Sequence, residues 1–573
     1  MSRRTTKVAS VYIGQYNEEC IRCDFDYNMN DICDIKAING SYWYKRENCW
    51  IVPLNLDNCF HLKKKLKYKF KFNLRQWANN VYKRQERKLG KLQIEGLGGT
   101  LLPFQNEGVQ LINLFQGRAI LGDEMGLGKT VQALAYAQLN KRFRPMLIVC
   151  PGLMKYKWAD EVRHWIGETD ITILEGRTPY PVHPSGIFII NYDILHYWER
   201  QLVHIPFELV VIDELHYLKN KGTKKSPVKR TNAALNITRN IRYRLGLTGT
   251  LSTGKVLDMF IPLKIINPYI FTNEWKYKHR YCGPKHNGFG WDFDGVSNAQ
   301  ELHNILKEKI LIRRLKKDVL KDLPDKQYSL TQFDIDGRGD YDMAEQRYLT
   351  FLENMVEGKV KRYLQQFYDD KIGCVTIDHV KLDAMKKQAT EKANALTQME
   401  HLRQLCVNGK LDQCIAWIAE FLESGEKLCV FGIHKPFVRK IYEHFKSKAL
   451  LIAGGTSAKQ KAQIEKQFQT NKKYRLLVGN VKAAGIGLTL TAASHIALFE
   501  FPWNPDELAQ AIDRVHRITQ DKKVMVHLLV SRDTVERRML KTLYGKQQTS
   551  DLVLDGGVRE TTLELQTIIN RIA

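Results

Sequence analysis

The sequence predicts an α/β protein of two units, each a parallel sheet wrapped by helices, and three observations carry that expectation. Short apolar runs recur in two series, each run followed by a turn and a helical stretch. The runs are continuous and rich in β-branched residues, as strands buried on both faces are. The length, 573 residues, exceeds what one hydrophobic core holds, so several domains are expected.

Residues 1–95 are mixed and basic and read as a small α+β domain. They end in HLKKKLKYKFKFNLRQW (61–77), where lysines interleave with Tyr68, Phe70 and Phe72. Such a run is either a solvated face or a surface that contacts nucleic acid. Cys20 and Cys23 form a CxxC pair, and with Cys33 and Cys49 they could supply four thiolates. The latter two lack the second close pair of common zinc knuckles, so buried or edge cysteines in small strands are favoured over zinc.

From 96 to 318 the runs are AIL (119–121), MLIVC (146–150), IFII (187–190), LVVI (209–212) and RLGL (244–247). Residues 319–425 lack such strands and are rich in charged helix formers, as in DMAEQRYLTFLENMVEGKVKRYLQQF (342–367), which predicts a helical protrusion and linker. The second unit, 426–555, holds KLCVFG (427–432), ALLIAG (449–454), YRLLVG (474–479), HIALFEF (495–501) and KVMVHLLV (523–530), with a tail at 556–573. The glycine-rich CGPKHNGFGWDFDG (282–295) is the long irregular candidate.

Composition narrows the partners. Hydrophobic residues make up 44% and charged residues 26%, a balance of packed domains. Lys and Arg number 88 against 62 acidic residues, a net charge of +26 that favours a polyanion such as nucleic acid. No run approaches the roughly 20 apolar residues of a spanning helix, and MSRRTTKVAS has no signal-like hydrophobic region, so neither membrane insertion nor secretion is expected. The 11 scattered cysteines fit a reducing intracellular compartment.

Three motifs carry chemistry. GDEMGLGKT spans Gly122, Asp123, Glu124, Met125, Gly126, Leu127, Gly128, Lys129 and Thr130, between an apolar run and a helical stretch. A strand, glycine-rich turn and helix N-terminus aim backbone N–H groups at phosphates; Lys129 can reach the β and γ phosphates and Thr130 can ligate magnesium. In the strict pattern the first glycine would stand where Asp123 is. DELH (213–216) follows a buried run, so Asp213 can hold Mg2+ and Glu214 can orient and deprotonate the attacking water, with His216 coupling the site to its neighbours. QAIDRVHRITQ (510–520) places Arg514 and Arg517 three residues apart, on one face if helical, where both can meet a γ-phosphate across a cleft.

Taken in order, these segments resemble the SWI/SNF-type family of helicase-like ATPases, above all the SMARCA-like annealing helicases. The resemblance runs through GDEMGLGKT, VCPGLMKYKW (149–158), NYDIL (191–195), DELH, LTGT (247–250), VKAAGIGLTLTAAS (481–494) and QAIDRVHRITQ. FPWNPDELAQ (501–510), with Trp503, and ILIRRLKKDVLKDLP (310–324) also look like that family, and the likeness covers about 97–545. Residues 21–54, with Gly40, Trp43, Trp50 and Pro53, look like the small HARP-like domain beside the motor in annealing helicases. One departure stands at GTLSTGKVLD (249–258), where the family usually has proline and later asparagine.

The resemblance implies two tandem RecA-like domains that clamp ATP and Mg2+, with helical insertions. It implies Gln105 on the adenine side, and His216, Thr248, Gly249, Thr250, Gly485 and Gln510 in coupling. It implies DNA contacts at Pro151, Lys155, Lys157 and Trp158 in the first lobe, and at Gly454, Gly455, Thr456 and 485–489, including Gly487 and Thr489, in the second. The expected function is an ATP-dependent translocase on double-stranded DNA that remodels branched or protein-bound DNA. Expected with it are a monomer, single-strand-binding or replication-fork proteins as partners, and a soluble location: the cytoplasm of a prokaryote or virus-infected cell, or a eukaryotic nucleus. Two rivals remain: a strand-separating helicase on DNA or RNA, and a nucleotide-gated DNA-binding scaffold, against which the intact DELH and paired arginines speak.

Overall fold

The computed structural model describes residues 7–13, 19–26, 28–38, 41–54, 56–86, 92–140, 143–223, 226–251, 254–286, 291–354, 377–484, 488–560, 562–563 and 566–567. Every apolar run of the first series lies in a strand of one seven-stranded sheet. Its order is Leu311–Ile312, Arg118–Leu121, Tyr243–Leu247, Leu209–Asp213, Met146–Cys150, Ile187–Asn191 and Ile171–Ile173, and every pairing is parallel. Met146–Cys150 and Ile187–Asn191 are buried along their whole length, because helices cover both faces.

The second series forms a six-stranded parallel sheet, in the order Lys326–Phe333, Val524–Ser531, His495–Leu498, Leu428–Gly432, Leu476–Asn480 and Ala449–Ile452. Its edge strand corrects the sequence reading. Lys326–Phe333 lies in the stretch expected to be strandless, and it pairs in register with Val524–Ser531. The strand was missed because polar residues interrupt KQYSLTQF, so it offers no continuous apolar run, as an edge strand that is never fully buried need not. Within 319–425 the helices lie at 338–354 and Ile377–Glu423, and the rest of the predicted helix at 342–367 lies outside the described residues.

The N-terminal residues form a separate five-stranded sheet, in the order Tyr42–Tyr44, Cys49–Pro53, Glu19–Asp24, Val8–Ile13 and Lys69–Phe70. From Lys67 to Lys71 the chain alternates, lysines outward and Tyr68 and Phe70 in the core, while Phe72 is exposed. Tyr68 and Phe70 are therefore packing residues. Cys20 packs with Cys49, whereas Cys23 lies in the other core layer with Cys59 and Cys33 is exposed. No group of three metal-binding side chains occurs among the described residues, and Gly40 is outside them. No described helix is long and apolar enough to cross a membrane.

The helix Val535–Leu554 joins the two large units. Met539, Leu540 and Leu543 lie in the second core, and Val553 and Leu554 lie in the first.

Candidate active site

The strand Arg118–Leu121 delivers the chain to the turn that precedes the helix Lys129–Leu139. Gly126 and Gly128 adopt φ of +90° and +75°, and a side chain at 128 would meet Gln105 Nε2 at 2.4 Å. Glycine is what lets the loop curl there, leaving the N–H groups of the first helical turn, Thr130 included, turned toward the cleft. Lys129 Nζ donates to the carbonyl of Asp123 at 2.7 Å, and burial lowers its pKa against the pull of Glu214, Asp123 and Asp213. Gln105 Nε2 donates to the Leu127 carbonyl at 3.2 Å, and its Oε1 accepts from Leu102 N–H, so this side chain braces the loop from behind.

Asp123, which breaks the strict glycine pattern, is fully buried. Its carboxylate accepts from Gln132 Nε2 at 2.9 Å and from Arg314 Nη2 at 2.6 Å. Glu124 faces the other way, accepting from Lys316 N–H at 2.8 Å and lying 3.6 Å from Lys326 Nζ. Burial pushes the Glu124 carboxyl up, but the two lysines together hold it well below the usual range. Met125 lies under Gly249, where an added Cβ would meet its Cγ at 2.7 Å.

Asp213 ends a central strand, at the carboxyl edge of the sheet. Its Oδ2 accepts from Trp158 Nε1 at 2.9 Å and its Oδ1 from Glu214 N–H at 3.0 Å. Burial, reinforced by the neighbouring Glu214, pushes its pKa up to about 6. Glu214 stands at φ +53°, a left-handed conformation that costs a non-glycine residue energy and is met at functional sites. Its Oε2 is buried with no hydrogen-bond partner. Burial raises the Glu214 pKa, against Lys129 and Arg514. His216 Nδ1 lies 3.4 Å from Glu214 Oε2 and 3.2 Å from Thr248 Oγ1. Burial drives this imidazole down to about 4, so it is neutral near pH 7 and its approach to Glu214 is no ion pair.

The second lobe closes over this loop. Arg514 and Arg517 lie beyond the helix Pro505–Ile512, in the turns that follow it, so the shared helical face expected from their spacing is corrected. They nevertheless converge on the cleft. Arg517 Cγ lies 3.7 Å from where a Cβ on Gly126 would stand, and its Nη1 donates to Thr489 Oγ1 at 2.8 Å. Arg514 is buried and feels the charge of Glu214; burial and neighbouring Arg517 bring its guanidinium down to about 10. Lys316 locks the lobes together, its Nζ donating to Asp513 Oδ1 at 2.8 Å and to the His516 carbonyl at 2.6 Å. Gln510 is half-buried on the helix itself.

The donor set fits a magnesium-bound triphosphate: an N–H-lined loop with a buried lysine, a hydroxyl at Thr130, two adjacent carboxylates, and arginines facing them from the other lobe. The residues expected at DNA divide. Lys157 is exposed on the helix Lys155–Ile166, and Gly454 and Gly455 are exposed after the strand Ala449–Ile452, with Thr456 Oγ1 donating to the Ala453 carbonyl. Lys155 and Trp158 are corrected. Lys155 is buried with Nζ on the Leu174 carbonyl at 3.0 Å, and Trp158 is buried against Asp213. Pro151 is buried as well, and Thr489 is engaged by Arg517. Gly485 and Gly487 lie outside the described residues.

A family model of the SNF2-related domain matches residues 72–411, and one of the helicase conserved C-terminal domain matches 409–519. The chain belongs to the SNF2-related family. It is 31% identical over 448 residues to the SWI/SNF-related matrix-associated actin-dependent regulator of chromatin subfamily A-like protein 1 of Xenopus tropicalis, covering 77% of this chain and 43% of that protein. It is 30% identical over 475 residues to the DNA annealing helicase and endonuclease ZRANB3 of Homo sapiens, covering 80% of this chain and 41% of that protein. The chain thus spans less than half the length of these relatives. Among solved structures, the Sulfolobus solfataricus SWI2/SNF2 ATPase core in complex with dsDNA aligns at 24% identity and TM-score 0.38, over 84% of this chain and 98% of that one.

The two large sheets are the two RecA-like lobes of this SNF2-related chain. Sequence reasoning missed the residues that assemble its site. Arg313 Nη1 donates to the carbonyls of Gly122, at 2.7 Å, and Gly249, at 3.1 Å, and its Nε pairs with Asp555. Arg314, Lys316 and Lys326 anchor Asp123, Glu124 and Asp513. Their basic run was visible, but only the fold shows that each cation is buried against a carboxylate distant in sequence.

Proposed function

We propose that this SNF2-related chain is an ATP-dependent translocase on double-stranded DNA, remodelling branched or protein-bound DNA by fork remodelling or strand annealing. The observation that carries the reading is the position of Arg517 over Gly126, with Arg514 facing Glu214, so that both lobes contribute to one pocket. In the proposed cycle the loop 122–128 cradles the phosphates while Lys129 neutralises the β and γ oxygens. Magnesium, when bound through Thr130 and Asp213, supplies charge neutralisation on the triphosphate. Glu214, held in its left-handed turn, orients the water and takes its proton; Arg514 and Arg517 stabilise charge that develops on the γ-phosphoryl group. Because the pocket is complete only when the lobes meet, nucleotide state biases an open and a closed arrangement.

A duplex spanning both lobes would be moved by that alternation. The net charge of +26, exposed Lys157 and the exposed turn at 454–456 support contact with a phosphate backbone without base readout. The name of one relative, a DNA annealing helicase, supports DNA as the substrate and annealing as the outcome. ATP hydrolysis measured with duplex, forked and single-stranded DNA and with RNA tests the reading. Duplex or forked DNA is expected to stimulate most; stronger stimulation by single strands or RNA would favour the strand-separating helicase, and stimulation by none would favour the nucleotide-gated scaffold.

A further inference from the structure

The cleft between the lobes continues past the nucleotide site into a cavity lined by Met125, Gly249 and Thr250 of the first lobe, Arg313 of the connection, and Asp506 and Asp513 of the second. Two polar atoms from opposite lobes are buried at this cavity without a well-formed hydrogen bond, Thr250 Oγ1 and Asp506 Oδ2. They face one another closely enough for the hydroxyl to stabilise the carboxylate. An unsatisfied buried oxygen is costly, so two of them side by side gain from a closer approach that completes the bond.

Thr250 is the end of a line of groups that begins at the proposed base. Glu214 Oε2 lies 3.4 Å from His216 Nδ1, and that nitrogen lies 3.2 Å from Thr248 Oγ1. Thr248 Oγ1 donates to the Thr250 carbonyl at 2.8 Å and accepts from Thr250 N–H at 3.1 Å. Because the one Thr248 proton is spent on that carbonyl, His216 must donate its Nδ1–H to Thr248, which fixes the tautomer of the ring beside Glu214. Asp506 belongs to the first turn of the helix Pro505–Ile512, its N–H capped by Asn504 at 3.1 Å, and the turns after that helix carry Arg514 and Arg517. This short helix and the turns after it therefore present a carboxyl to the Thr250 end of the line and the arginine pair to the Glu214 end.

We infer that Asp506 is a positioning residue: by engaging Thr250 when the lobes close, it transmits closure through Thr248 and His216 to Glu214. Burial raises the Asp506 carboxyl to about 7, with Thr250 and Arg313 pulling the other way, so the group can both donate to and accept from the hydroxyl near neutrality. The inference rests on the reading of the site as a hydrolytic one.

The test is a double-mutant cycle on duplex-stimulated hydrolysis with Asp506→Ala, Thr250→Val and the pair, with Asp506→Asn as the variant that keeps a hydrogen-bonding side chain. Each single change is expected to lower kcat about tenfold, the scale of one lost coupling, with KM for ATP unchanged. The pair should be no worse than either alone, and Asp506→Asn should recover most of the rate. Effects that multiply, a raised KM with unchanged kcat, or an Asp506→Asn as slow as Asp506→Ala would overturn the relay. Should Asp506→Ala not fold, Thr250→Ser set against Thr250→Val decides: the serine keeps the hydroxyl and should keep most of the rate, and a Thr250→Ser as slow as Thr250→Val would overturn the relay. If the unmodified chain hydrolyses no ATP, the reading of the site falls and the relay with it, an outcome distinct from a working enzyme with independent mutations.

Discussion

Trp158 donates its indole N–H to Asp213, and that single bond decides between two roles for the tryptophan. As a DNA contact it would be exposed; it is 1% exposed. Trp158→Phe keeps the bulk and removes the donor, so kcat for hydrolysis should fall about tenfold, in keeping with about 1.5 kcal/mol for a hydrogen bond to a charged group. Duplex affinity in a direct binding titration should stay as it is; a loss of duplex affinity at full kcat would restore the DNA role. Lys129→Ala should abolish hydrolysis while largely sparing DNA binding, and normal turnover by that variant would refute the site assignment. The phosphate-loop residues were legible in the sequence because a strand, glycines and a lysine occur consecutively. Trp158 and Lys155 were read as DNA contacts because a motif gives neighbours along the chain, whereas these side chains turn inward to partners 55 and 19 residues away.

Elements show the same division. The strand series was readable because buried parallel strands are continuous apolar runs, whereas the edge strand Lys326–Phe333 and the turns holding Arg514 and Arg517 are set by pairing and lobe contacts that no local pattern records. The loop that precedes the helix Lys129–Leu139 is fixed from behind by Arg314, which is buried against fully buried Asp123. Arg314→Met leaves that carboxylate without its cation, a change that costs about 3–5 kcal/mol in other buried pairs; thermal unfolding should register a Tm lower by several degrees, and an unchanged Tm would contradict the anchor. The long helix Ile377–Glu423 is tied to the second lobe by His434, which lies between Glu500 and Glu400, the latter at 2.6 Å. The bond to Glu500, against burial, raises the His434 pKa. A raised histidine contributes stability that is complete below its unfolded pKa of about 6.5 and is lost as pH rises through the raised value. His434→Gln should therefore cost more Tm at pH 6 than at pH 8.5; an equal loss at both would remove the charge from the account.

For the molecule as a whole, closure is built into the chain by its connections. Lys316 and Lys326 bridge Glu124 of the first lobe and Asp513 of the second, while the helix Val535–Leu554 starts in one core and ends in the other, where Asp555 meets Arg313. The site is thus a property of two lobes held together, and the sequence disclosed its parts without their juxtaposition. A net charge of +26 distributed over such a body predicts duplex binding through phosphates, with affinity falling steeply and linearly on a logarithmic salt axis. Binding insensitive to salt would contradict that. The most direct measurement is single-turnover hydrolysis of bound ATP by Arg517→Ala, with ATP affinity measured on the same preparation. The hydrolysis rate is predicted to fall about 10³-fold, as for other arginine fingers, with ATP still bound. Hydrolysis at the unmodified rate, or a loss of nucleotide affinity alone, would contradict a pocket completed by the second lobe.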